Sequence, residues 1–137
     1  MDDISGGRVG WNIVTTSADA AASNCNLQKH PPHADRYRQA SEFVDVVTKL
    51  WDSWEDDAIV ADKESGLFAE TDRIHPANHD GALYRVRGAL NVPRSPQGRP
   101  VSVQAGSSEA GPGFAAPYAG AIFNAPQTRG GDRSARE

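Results

Sequence analysis

The chain has 137 residues, enough for one domain, with a net charge of −4 that argues against a general nucleic-acid binder. Leu, Ile, Val and Phe number 24, about 18% and below the ~20% that marks a poor core-former, while 13 Gly and 9 Pro run above average. A single cysteine excludes a disulfide framework, no apolar run reaches ~20 residues, and Met1-Asp2-Asp3-Ile4 lacks a basic and apolar leader; a cytoplasmic protein is expected.

The first periodic segment is Arg8 to Thr16, β-branched and aromatic after a Gly-Gly turn, which predicts a buried strand of a parallel sheet covered on both faces. Ser17 to Pro32 is small and polar and reads as a long loop. Tyr37, Ala40, Phe43, Val44, Val47, Leu50, Trp51 and Trp54 then recur at spacings of three and four, the stripe of an amphipathic helix. Pro31-Pro32 blocks its extension backwards, and Asp35 lies in or just before its first turn, where the helix dipole favours an acid. Residues 52–82 are acidic and read as an irregular, solvated excursion. Leu83 to Pro93, with Tyr84-Arg85-Val86, suits a small hairpin, and Arg94 to Pro100 is a connector.

Pro100 to Ala105 predicts a second strand that runs into the turn Gly106-Ser107-Ser108, and Ala119 to Ala125 a third. Pro117 disfavours a regular helix between them, since a proline inside a helix costs about 3 kcal/mol. Thr128 to Glu137 has no periodicity and is expected to be a disordered polar tail after a structured segment of residues 1–127. Strands alternating with helical segments imply βαβ units and a parallel sheet of about three strands.

A few positions carry chemistry. A small-residue turn that opens a helix, as at Gly106, Ser107 and Ser108, presents backbone N–H groups and hydroxyls that can hold a phosphate; an ordinary turn with a serine N-cap has the same sequence. His33 and Tyr37 stand four apart at a helix start, near the mouth of the expected sheet, although Tyr37 also fits as the first core residue and His33 as a cap or surface residue. Asn12 and Thr15 are polar residues in an otherwise apolar strand; a polar ligand or a neighbouring segment would satisfy them. The pairs His30/His33 and His75/His79 lack companion ligands at metal spacing, so no metal site is expected.

In order along the chain, Ser5-Gly6-Gly7-Arg8-Val9-Gly10-Trp11-Asn12-Ile13-Val14-Thr15-Thr16, His33-Ala34-Asp35-Arg36-Tyr37, Leu50 to Asp57 and Val103-Gln104-Ala105-Gly106-Ser107-Ser108 resemble the motif series of the bacterial luciferase-like flavin-dependent monooxygenases. The branch is that of the nitrilotriacetate, dibenzothiophene-sulfone and long-chain alkane monooxygenases. The resemblance runs from about Asp2 to Pro126. It implies an α/β segment of a (β/α)8 TIM barrel, with the site at the C-terminal ends of the strands. It further implies reduced FMN delivered by a separate NAD(P)H-dependent flavin reductase, O2 as co-substrate, a small organic substrate, and a dimer or larger oligomer. By the same resemblance His33, Tyr37 and Ser108 contact the flavin, Ser108 at its phosphate beside Gly106 and Ser107, while Asn12 and Thr15 line the flavin pocket.

A complete barrel takes about 250 residues, and this sequence matches only its middle. The expectation is therefore an incomplete barrel from a truncated or frame-shifted gene, whose thin core reflects apolar faces that pack against neighbours outside the sequence. A catalytically inactive remnant or assembly fragment is the alternative function.

Overall fold

The computed structural model describes residues 1–16, 18–105 and 117–123. Its longest element is the expected amphipathic helix, α3 (His33–Trp51), which follows two short helices, α1 (Asp2–Ser5) and α2 (Asp19–Ser23). Pro32 stands at the N-cap with extended backbone, and its carbonyl accepts the first helical bond from the Arg36 N–H at 3.1 Å. Asp35 sits in the first turn, as the dipole favours.

The helix packs against a three-stranded parallel sheet. Strands β1 (Gly10–Ile13), β4 (Val101–Ala105) and β5 (Ala121–Phe123) lie in the order β1-β4-β5, with Ile13 opposite Gln104 and Gln104 opposite Ile122. The remaining strands, β2 (His79–Asp80) and β3 (Arg85–Val86), form a separate antiparallel ribbon. The architecture is thus a partial α/β segment with parallel strands.

Ile13 (4% exposed) and Val44 (3%) form the buried centre, surrounded by Trp11, Tyr37, Ala40 and Tyr118. Trp11 sets its ring edge-on to Trp51 and Phe43, with centroids 5.3 and 6.3 Å away. Because Trp11 near the start of β1 meets the end of α3, while Ile13 at its end meets Tyr37, the helix runs antiparallel to the strand. Its N-terminus therefore lies at the C-terminal end of the sheet.

Several expectations are corrected. The first strand spans four residues rather than the full run to Thr16. It is covered on one face only: residues alternate across a strand, and on the face away from α3 Asn12 is exposed and Val14 is 63% exposed. The segment before Pro32 contains a helical turn, α2, built on three consecutive alanines. Val46, off the predicted stripe, is buried, and Phe43, on it, is largely exposed. The reason is that the chain after α3 folds back over the helix, adding a second covered side.

That returning segment is largely exposed and without regular helix or sheet, as expected, but it is tied down at several points. Trp54 pairs with Ile74 and Ile59 with Ala69 in antiparallel bridges, Ala58 is fully buried, and a 3₁₀ turn spans Thr71–Arg73. Ser53, also buried, donates to the Leu50 carbonyl at 2.6 Å and accepts the Leu90 N–H at 3.0 Å. Part of the acidic run is paired with arginines: Arg73 meets Glu55, Asp57 and its neighbour Glu70, Arg94 meets Asp52 and Asp56, and Arg99 meets Asp52. The hairpin begins at His79, before the predicted Leu83. Pro117 and Tyr118 carry helical backbone. The Gly106-Ser107-Ser108 turn and the tail from Thr128 lie outside the described residues.

Candidate functional site

Parallel strands that all end at one edge of a sheet gather the following turns at that edge, where open α/β sheets and barrels bind ligands. Here β1 ends at Ile13 and β4 at Ala105, with Ile13 and Gln104 in register. Val14-Thr15-Thr16 and the α3 N-terminus therefore share the mouth of the sheet. A direct bond joins them: Arg36 Nη1 donates to the Thr16 carbonyl at 2.6 Å. Thr16 itself has φ of 39°, a left-handed conformation that a β-branched residue rarely adopts. The segment that follows is tethered by His30, whose Nε2 lies 2.7 Å from the Ala18 carbonyl.

His33 and Tyr37 stack with ring centroids 4.6 Å apart on the first turns of α3. His33 is exposed, whereas Tyr37 is half-buried against Ile13 and Val44. Tyr37 thus serves as the first core residue and still borders the strand mouth. Asp35, the carboxylate of this turn, is engaged by Arg38 at 3.3 Å. The helix N-terminus thus carries the His33 imidazole beside the Tyr37 ring and the first-turn N–H groups, a chemistry that suits an anion.

Beside the mouth, a cleft of about 550 Å³ opens between β1, the α2 region and α3. Asn12, Thr15 and Thr16 border it on the strand side, Arg36, Gln39 and Phe43 on the helix side, and Tyr84 closes one wall. His33 and Tyr37 do not line it. Asn12 is exposed, so a requirement to satisfy a buried amide does not apply to it. Arg36, not among the positions expected from sequence to carry chemistry, has its Nε buried with no hydrogen-bond partner among the described residues. Its place in the His-x-x-Arg-Tyr motif was the available signal. No cluster of three or more metal-ligating side chains occurs among the described residues. No described helix is long and apolar enough to cross a membrane.

Comparisons with known proteins give the chain's family and relatives. The family model of the luciferase-like monooxygenases matches residues 1–136. Component A of nitrilotriacetate monooxygenase from Aminobacter aminovorans is 51% identical over 93% of this chain and 28% of its own length. Among solved structures, a long-chain alkane monooxygenase superposes with a TM-score of 0.84 at 39% identity, over 90% of this chain and 29% of that one. A riboflavin lyase determined with modified FMN and riboflavin superposes with a TM-score of 0.81 at 42% identity, over 89% of this chain and 27% of that one. The chain therefore spans somewhat over a quarter of the length of the relatives it matches.

Proposed function

Since the chain belongs to the luciferase-like monooxygenase family, we propose that it forms the flavin-phosphate end of a two-component monooxygenase, which uses reduced FMN and O2 to oxygenate a small organic substrate. The observation that carries this reading is the position of His33 and Tyr37 on the α3 N-terminus, at the C-terminal edge of the parallel strands. The donor set fits a phosphate monoester: the Tyr37 hydroxyl, the His33 imidazole and the helix N–H groups, with the nearby Asp35 already engaged by Arg38.

Tyr37 and Ser108 would donate hydrogen bonds to the phosphate oxygens, and the helix dipole would favour their charge. His33, stacked on Tyr37, would hold the phenol in place. Thr15 and Asn12 would orient the ring system at the strand mouth. Bound reduced flavin supplies the electrons that activate O2; the protein's residues bind, orient and exclude water. Delivery of reduced FMN would require a separate NAD(P)H-dependent flavin reductase, and the same family suggests a dimer or larger assembly.

Anaerobic titration with reduced FMN tests the site. Ser108→Ala combined with Tyr37→Phe should weaken binding about tenfold or more, as expected for lost hydrogen bonds to a charged group. Equal affinity in parent and double variant would refute the assignment. A second reading has its own support: Val14, Val101 and Phe123 are exposed on the sheet face away from α3. On that reading the isolated chain is inactive and acts only with polypeptide covering that face. Oxygenation of a thioether or aminopolycarboxylate by the chain plus a flavin reductase alone would exclude it.

A further inference from the structure

The β2–β3 ribbon is fastened to α3 chiefly through the Glu42 carboxylate, with Lys49 and Gln39 adding one bond each. Glu42 lies mid-helix with its side chain 15% exposed. Its Oε1 accepts the Tyr84 N–H at 2.7 Å and the Leu83 N–H at 2.9 Å, and Oε2 lies 3.0 Å from the same Leu83 nitrogen. His79 Nε2 is 3.2 Å from Oε1, and His79 Nδ1 is 3.3 Å from Lys49 Nζ. An ammonium only donates, so Nδ1 accepts from Lys49 and Nε2 carries the proton that goes to Glu42.

The turn is shaped to this carboxylate. The Gly81 N–H donates to the Tyr84 carbonyl at 2.9 Å. A Cβ at Gly81 would stand 2.5 Å from His79 Nε2 and run into the Glu42 carboxylate. The ribbon's backbone pairing runs only from Ala77–Gly88 to the Gly81–Tyr84 turn, and an isolated two-stranded hairpin is marginally stable at best. Asp80 and Arg85, its other charged groups at the pairing, are exposed and bond to each other at 2.9 Å. Tyr84 travels with the turn: its hydroxyl accepts from Gln39 Nε2 at 3.0 Å, its ring lies 6.0 Å from Phe43, and it closes the cleft beside β1.

We propose that Glu42 is a latch, a positioning residue whose carboxylate holds the 81–84 turn on α3 and thereby sets Tyr84 as a movable wall of the cleft. Neutralising that carboxylate releases the turn and opens the cleft while the helix and sheet persist. The inference rests on the hairpin contacts and is independent of the flavin reading.

Amide hydrogen exchange of the full 137-residue chain, followed by NMR, tests it. In Glu42→Gln the Leu83 and Tyr84 amides should exchange about tenfold faster or more, while the Val44 and Val46 amides of α3 keep their protection. The Phe43–Tyr84 proton contacts should weaken in the same variant. Unchanged exchange at Leu83 and Tyr84 in a folded Glu42→Gln chain overturns the latch. Should that variant fail to fold, titration of the parent decides: the Leu83 and Tyr84 amide shifts should follow the Glu42 carboxyl carbon with one midpoint, and flat amide shifts overturn the proposal.

Discussion

Asp2 shows how much a single carboxylate organises. It is buried, and it accepts the Gln97 side-chain amide at 2.6 Å and the Gln97 backbone N–H at 3.1 Å, joining residues 95 positions apart. The Gln97 side-chain bond, which outweighs the opposing effect of burial, holds the Asp2 carboxyl below its usual range. Burial likewise pushes Glu42 and Asp52 upward, but the Leu83 and Tyr84 amides and His79 at the first, and Arg99 and Arg94 at the second, prevail, so both are lowered. A carboxyl lowered in the folded state binds fewer protons than in the unfolded chain. Its stabilisation is complete above the unfolded value near 4 and fades as pH falls through the folded value. The melting temperature should therefore drop steeply below about pH 4. Asp2→Asn should lower it at pH 7 and flatten that acid slope. An unaltered slope in circular-dichroism melts of the variant would count against this linkage.

At the scale of elements, α3 is held by its buried stripe and by the segment that folds over it. Val44→Ala removes two methyl groups from the centre of the Ile13 cluster and should cost about 2 kcal/mol in urea unfolding, a value typical of a core cavity. Arg73 behaves differently. It gathers Glu55, Asp57 and Glu70 at a partly exposed site, where each ion pair is worth about 0–1 kcal/mol. Arg73→Ala should accordingly leave global unfolding nearly unchanged but speed proteolytic cleavage between Ala61 and Gly66. A large loss of global stability would show instead that the excursion and the helix unfold as one unit.

For the molecule as a whole, the open sheet face dominates. Val14 and Phe123 are each 63% exposed, and β1 has an unpaired edge among the described residues. Apolar surface next to a free strand edge promotes association. Sedimentation velocity of the isolated chain should show concentration-dependent self-association, which Val14→Glu should diminish. A monomer at all concentrations would mean that the face is covered by the chain itself.

The sequence by itself determined the elements whose signals are local. The apolar stripe from Tyr37 to Trp51, stopped behind by Pro31-Pro32, defines α3, and the β-branched runs around Trp11 and Val103 define the paired strands. The ordered motifs also identified the family. Tertiary structure decided the rest, because those features depend on residues far apart in sequence. The acidic excursion is tied down in part by arginines up to 47 positions away, Val46 is buried by a segment that returns over the helix, and Glu42 finds its partners 41 and 42 residues later. Charge and polarity along the chain mark such residues as solvated. Only the folded backbone brings their donors and acceptors together, and that pairing sets Tyr84 of the expected hairpin as the wall of a cleft.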